Sequence, residues 1–387
     1  MQCHQSMHRP LAQHRTRSSA RLALQRCQGR QRRTVQVTNL TQVFQVGQSW
    51  VAADKSSRRR AAKGVVHFLG GAFAGAAPQV LYSLFIDKLA SAGYTVVAVP
   101  FAVTFQHLEC TDRVAAQFEA TLQEVRMRPD GNLLAPQGCP LLGVGHSNGA
   151  LLHLLMGARH PGATTGTVAI SFNNKQVSEA IPVPGLLGNL SPAIAAVRTG
   201  SFPLPLFDAA ALLQGVAKAL PPGLSWLDEA GQLSKAALGL EQLGLVFGEV
   251  GDGVTEFSPV PGESRRIIRE GYDAARQPLL LVRFAEDGID ETPEIATLLT
   301  AANPPGSVTS VTLPGSHVTP CGGDLRWQTD STYFTPLDAV VMLSKVQGQA
   351  DIRRLAATVV QFLDSCVATS GQRPTPTRTW ARTTSSN

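Results

Sequence analysis

The sequence predicts an α/β domain whose mostly parallel sheet is covered by helices on both faces. Three observations carry that expectation. Short apolar runs recur along the chain, helical stripes lie between them, and 43% hydrophobic against 16% charged residues in 387 suffice for a large buried core. No internal repeat is visible, and no strict glycine period suggests a fibrous chain.

The chain begins with a leader. Residues 1–63 hold 13 of the 34 Lys and Arg but one of the 28 acids, Asp54. The first 33 residues carry eight Arg, three His and no acid, with no apolar run long enough for a secretory signal. This composition reads as an organellar transit peptide over about residues 1–45, the plainer alternative being a disordered basic tail. The remaining 21 bases face 27 acids, so the formal net charge of +6 describes the leader and the end of the chain. Nothing in the body asks for nucleic acid. Cys110, Cys139, Cys321 and Cys366 form no C-x-x-C pair and no zinc spacing, as expected of thiols in a reducing compartment, and neither a metal nor a cofactor is implied.

Gly64 to Ile86 runs 23 residues without a charge, long enough to ask about a membrane span. Its five Gly or Pro and the opening GVVHFL read instead as a buried strand, a glycine loop and a helix. Further strands are expected at Thr95 to Val99, Leu141 to Val144, Thr167 to Ser171, Leu279 to Phe284 and Val308 to Leu313. Helical stripes fall at Val114, Phe118, Leu122 and Val125, at Leu151, Leu154, Leu155 and Ala158, and at Ile352, Leu355, Val359 and Phe362. Between about residues 174 and 276 no strand is convincing, and Leu233, Ala237, Leu240, Leu243 and Phe247 keep helical spacing. So long an interval implies an inserted helical cap within a domain of residues 46–369. Residues 370–387, rich in Pro, Thr, Ser and Arg, read as a disordered tail.

The chemistry centres on Gly145-His146-Ser147-Asn148-Gly149, set between a strand and the helix ALLHLLMGARH. This is G-x-S-x-G in the strand, turn, helix context of a nucleophile elbow, where the flanking glycines let strand and helix approach and the turn lifts the serine hydroxyl off the sheet. The bare pattern is weak; its context strengthens it. An ordinary turn capped by Ser147 is the structural alternative.

A serine nucleophile needs a base held by a carboxylate, and on this type of sheet the acid precedes the histidine. After PLLLVRF come Asp287 and Asp290; Asp287 is the favoured acid, and Asp290 is the alternative that could instead cap the helix near Thr292. His317, after the next strand, is the one histidine C-terminal to His160 and the candidate base. Oxyanion donors are expected from the backbone amides of Asn148 and of Ala72 in the Gly70-Gly71-Ala72-Phe73 loop. That loop lacks the middle glycine of a dinucleotide fingerprint. His153 reads as a core or supporting residue, and His146 as elbow packing.

The chain resembles the α/β-hydrolase-like family of domain of unknown function 1350 (DUF1350), of cyanobacteria and plastids. Phe68 to Pro78, Thr104-Phe-Gln-His107, Gly145 to Gly149, Ser171-Phe-Asn-Asn-Lys175 and Phe284 to Thr292 carry the resemblance. It implies the α/β-hydrolase fold and a plastid address, the stroma first, with the mitochondrion the alternative. It supplies no substrate, and the SFNNK block has no role derivable from sequence: Asn173, Asn174 and Lys175 either line a pocket mouth or anchor the insert.

The expected function is a serine hydrolase cleaving an ester or thioester of a small lipophilic substrate under an apolar cap. It would have no membrane span, though peripheral membrane contact is compatible with such a substrate. The alternative is a catalytically silent scaffold binding a lipid, pigment or protein partner in the plastid.

Overall fold

Eight strands form one sheet in the computed structural model, which describes residues 41–55, 60–72, 74–175, 256–321 and 345–370. They are β1 (Thr41–Val46), β2 (Ser49–Asp54), β3 (Val65–Leu69), β4 (Thr95–Ala98), β5 (Leu141–His146), β6 (Gly166–Ile170), β7 (Leu279–Phe284) and β8 (Val308–Leu313). Across the sheet they run β1-β2-β4-β3-β5-β6-β7-β8. β3 to β8 pair parallel, whereas β1 and β2 form an antiparallel hairpin joined antiparallel to β4. Helices α1 (Pro78–Leu81), α2 (Ser83–Ser91), α3 (His107–Arg126), α4 (Gly131–Leu134), α5 (Asn148–Arg159), α6 (Pro261–Gly271), α7 (Thr292–Ala302) and α8 (Lys345–Ser370), with a short 3-10 turn at Ala74–Ala76, complete the described elements. Strand order and parallel pairing are those of the α/β-hydrolase fold.

Strand side chains alternate between two cores. On β3, Val66 and Phe68 join a core with Phe85 and Leu89 of α2 and Leu355 and Val359 of α8. Val65 and Leu69 face the other side, with Val114, Phe118 and Leu122 of α3. A strand buried on both faces has no polar side to show, and VVHFL reads as a continuous apolar run for that reason. Each Leu- or Phe-sized side chain so buried contributes about 1.5–3 kcal/mol.

On β5 the alternation takes another form. Leu142 and Val144 fill the α2/α8 side, while Gly143 and Gly145 occupy the side on which α5 lies. A Cβ at Gly143 would lie 2.8 Å from His153 of α5, and one at Gly145 only 2.3 Å from the Gly149 carbonyl oxygen. The glycines admit α5 close to the sheet, and the helix is buried from Gly149 to Ala158.

Two sequence boundaries need correction. The leader expected over residues 1–45 overlaps β1, which starts at Thr41, so residues 41–45 belong to the sheet. The hairpin escapes the sequence pattern because TQVFQV mixes Gln with apolar residues beside the polar residues of the expected leader, and its pairing with β4 is non-local. The last helix, α8, includes Ser370, one residue beyond the expected domain end at residue 369. Residues 176–255 of the expected cap lie outside the described residues, as do residues 1–40 of the leader, the tail from 371, and Phe73. Among the described residues, no helix is long and apolar enough to cross a membrane.

Candidate active site

The sheet order reverses between β3 and β5, since β4 lies on one side of β3 and β5 on the other. In open parallel sheets the crevice at the carboxyl ends of such a strand pair is the natural binding position. Both loops that leave β3 and β5 reach it: Gly70-Gly71-Ala72 from β3 and Ser147 from β5.

Ser147 stands between β5 and α5 with φ 55° and ψ −119°. A non-glycine residue held there stores about 1–3 kcal/mol of strain, and persists only where its surroundings dictate it. Here they do. A Cβ at Gly149 would lie 2.5 Å from the Leu69 carbonyl oxygen, against backbone that cannot yield. The Ser147 amide is held by the Ile170 carbonyl at 2.9 Å. Its hydroxyl is thereby presented at the start of α5, where the helix dipole and first amides favour negative charge.

His317 lies in the loop after β8. Its Nε2 is 3.0 Å from Ser147 Oγ, and its Nδ1 is 2.8 Å from Asp287 Oδ2. The Asp287 side chain is fully buried and that of His317 is 15% exposed. Adjacent strands set this spacing: β7 and β8 pair in parallel, and their loops continue the contact through Ala285 N–H to Leu313 O and Glu286 N–H to Gly315 O, both at 2.9 Å. The His317 loop is closed by Thr319, whose Oγ1 accepts from the Ser316 amide at 2.8 Å. Burial alone would raise the Asp287 carboxyl, but the hydrogen bond and charge of His317, with the nearby Ser171 hydroxyl and the Ile289 amide, bring it below the usual carboxylate value.

Asp290 is not joined to His317. Its Oδ1 accepts from the Thr292 amide at 3.2 Å and from the Thr292 hydroxyl, and its Oδ2 is 3.7 Å from Arg283 Nε. It holds the start of α7, the second of the two readings given to it from sequence.

The amides of Ala72 and Asn148 border the site. A Cβ at Gly71 would lie 3.1 Å from Ser147 Cβ, so the β3 loop backbone abuts the serine. Among the described residues, neither amide donates a hydrogen bond within the loops and turns. The Asn148 side chain reaches 3.4 Å from His107 Nε2, and His107 stacks on Phe257 at 4.6 Å between ring centres. Burial holds His107 down to about 4.

The SFNNK block is an anchor. Asn173 Nδ2 donates to the Ile289 carbonyl at 3.0 Å, and Asn174 Nδ2 to the Pro261 carbonyl at 2.9 Å. Glu291 accepts from the Asn174 amide at 2.6 Å and from Arg265 at 3.1 Å. These bonds tie the end of β6 to the Asp287 loop and to the start of α6. The sequence pattern left anchoring as one of two readings of this block and did not name its partners, and it gave His146 only as elbow packing, whereas its ring bonds Tyr82 on one side and the His317 carbonyl on the other. His153 is the expected core histidine, its Nε2 3.1 Å from the His67 carbonyl oxygen. Among the described residues no group of three or more His, Cys, Asp or Glu is arranged to hold a metal.

An eight-stranded sheet in this order, with a strained serine at the β5–α5 turn and a histidine and aspartate on the loops after β8 and β7, defines a protein of the α/β-hydrolase fold. A sequence model of the family described as "Protein of unknown function (DUF1350)" matches residues 45–365, and the chain belongs to that family. No curated protein matches it in sequence. Among solved structures it is similar to a soluble variant of monoglyceride lipase from Saccharomyces cerevisiae (12% identity, 87% of this chain and 95% of that one, TM-score 0.46). It is similar too to a carboxyl esterase from Bacillus coagulans (14%, 87% and 98%, TM-score 0.42) and to an esterase of Pyrococcus furiosus (12%, 87% and 92%, TM-score 0.40).

Proposed function

We propose that the protein is a serine hydrolase acting on an ester or thioester of a small lipophilic substrate. The observation that carries the reading is the unbroken series of contacts from Ser147 Oγ to His317 Nε2 at 3.0 Å and from His317 Nδ1 to Asp287 Oδ2 at 2.8 Å. In this reading His317 takes the Ser147 proton as Oγ attacks the carbonyl carbon, and Asp287 orients the ring and stabilises the imidazolium. The amides of Asn148 and Ala72 donate to the oxyanion. His317 then gives the proton to the leaving alcohol or thiol, and water releases the acyl group by the same route. The lipophilic preference follows from the apolar stripe within the expected cap.

A fluorophosphonate probe tests the reading: it should label the wild type and not Ser147→Ala, and p-nitrophenyl esters of increasing chain length should be turned over by the wild type alone. Equal labelling of both proteins, or no turnover of any ester or thioester by a labelled wild type, would overturn it, the latter in favour of a silent scaffold. The leader's composition supports import into a plastid. A fluorescent protein fused behind residues 1–63 should reach the stroma; accumulation in mitochondria selects the alternative address, and a cytosolic signal rejects both.

A further inference from the structure

We propose that His146 is a positioning residue which, together with Tyr82, locks the loop carrying His317 to the loop carrying Gly71 and Ala72. The base and the oxyanion donors thereby keep a single spacing about Ser147. The inference rests on the serine-hydrolase reading and extends it.

His146 is the last residue of β5 and is 2% exposed; Tyr82, just before α2, is fully buried. His146 Nε2 lies 2.9 Å from the main-chain oxygen of His317. A carbonyl oxygen can only accept, so Nε2 carries the proton and Nδ1 must be the acceptor. Nδ1 is 2.8 Å from the Tyr82 hydroxyl, which therefore donates to it. The tyrosine oxygen in turn accepts the Gly71 N–H at 2.7 Å. Every donor is used in one direction: Gly71 amide to Tyr82, Tyr82 to His146, His146 to the His317 carbonyl. No other tautomer satisfies the chain.

The two ends of this series are loops far apart in sequence that both reach Ser147. A Cβ on Gly71 would come 3.3 Å from His146 Nδ1 as well as 3.1 Å from Ser147 Cβ, so this peptide runs against both residues. Fixing the Gly71 amide orients the next peptide, which carries the Ala72 N–H. Fixing the His317 carbonyl sets the backbone from which the imidazole projects. The ring centres of His146 and His317 are 5.0 Å apart. Burial, with the neighbouring His317 adding to it, lowers His146 to about 3, so its donor and acceptor pattern is constant near neutrality and it brings no positive charge beside the imidazolium. Burial first, and then Cys321, raise Tyr82 well above its ordinary value, so the hydroxyl keeps the proton that it donates. An apolar residue would fill the same space and join neither loop.

The test compares Tyr82→Phe, His146→Gln, the double variant and His146→Phe, with kcat expressed per site titrated to its endpoint by fluorophosphonate, and Ser147→Ala, which has no site to titrate, with turnover expressed per total protein. Titration counts folded sites, so a purely structural defect lowers their number and leaves kcat per site unchanged. The expected result is a fall in kcat per site of about 10- to 100-fold in each single variant with KM unchanged, because displaced donors act on the transition state. The double variant should fall no further than the worse single, since both break one series. His146→Gln should outperform His146→Phe, because its amide still donates to the His317 carbonyl. Single variants within about twofold of wild type in kcat per site, or fully multiplicative losses in the double, overturn the inference. Turnover by Ser147→Ala would instead overturn the hydrolase reading itself; its complete loss beside unaffected Tyr82→Phe and His146→Gln overturns this inference alone.

Discussion

Asp287 and Asp290 sit three residues apart on one loop, yet their carboxylates serve different neighbours: Asp287 meets the His317 ring at 2.8 Å, and Asp290 accepts from Thr292 at the start of α7. Their ionisation diverges accordingly. Burial pushes both upward, but the bonds from His317 bring Asp287 below the usual value, while Asp290, with the Asp287 charge nearby, stays raised. An acid that must support a developing imidazolium has to remain ionised, which favours Asp287 for that role.

From this division follows the first prediction. Asp287→Asn should lower kcat by about 10³–10⁴-fold through loss of the correct histidine tautomer. Asp290→Ala, which removes the acceptor of the Thr292 amide, should leave kcat within about tenfold of wild type and lower stability by about 1 kcal/mol, the worth of a helix-capping contact. Ester kinetics and urea titrations of the two proteins measure both effects, and the opposite ranking in kcat would transfer the acid role to Asp290.

The elbow glycines are steric requirements. A Cβ at Gly149 would lie 2.4 Å from the Gly70 carbonyl oxygen, and at Gly145 2.3 Å from that of Gly149. Gly145→Ala and Gly149→Ala should each cost about 1–3 kcal/mol or more as strand and helix separate, with Ser147 displaced and labelling slowed. Gly138→Ala is the control: nothing lies within 4 Å of its added Cβ, although its φ of 73° adds some strain. Melting curves with all three variants alike would refute the steric argument.

Buried histidines make the protein sensitive to mild acid. Burial lowers His107 and His153 to about 4 and His146 to about 3, and takes His67 well below its ordinary value, with His153 lowering it further. The unfolded chain would protonate all four near 6.5 and the folded one would not, so their contribution is complete above 6.5 and is lost as pH falls toward 4. The slope is about 1.4 kcal/mol per pH unit for each histidine that differs. Asp290, raised in the fold, opposes this by at most one proton. Calorimetric unfolding at pH 5 should therefore take up roughly three protons from solution. Stability independent of pH between 7 and 5 would show that these rings are not held neutral.

The β6 anchor should govern local opening rather than chemistry. Glu291→Ala removes the acceptor of the Asn174 amide and the partner of Arg265, leaving a buried N–H unsatisfied at a cost of about 1–3 kcal/mol. Hydrogen exchange should accelerate in residues 172–175 and 259–265 while β3 and β5 remain protected. Uniform acceleration, or none, would mean that the contact does not act as a local fastening.

Much of the site was legible in the sequence because its parts are local. Gly145 to Gly149 mark a strand-to-helix turn by composition and position, and the order of Ser147, Asp287 and His317 follows from which strand precedes each. The five apolar runs from Val65 onward declare parallel strands because both their faces are buried, whereas β8 lies at the sheet edge and is largely exposed. The β1–β2 hairpin was not legible, since its partner β4 is distant in sequence and its own pattern merges into the leader. Which aspartate meets His317, what Asn173 and Asn174 hold, and that His146 bridges Tyr82 to the His317 loop were decided only by the tertiary structure. The physical reason is one of direction: sequence spacing sets distances along a strand and its loop, whereas these hydrogen bonds run across the sheet between loops that the strand order brings together. Such bonds depend on angles and separations of a few tenths of an ångström, which only the packed strands impose.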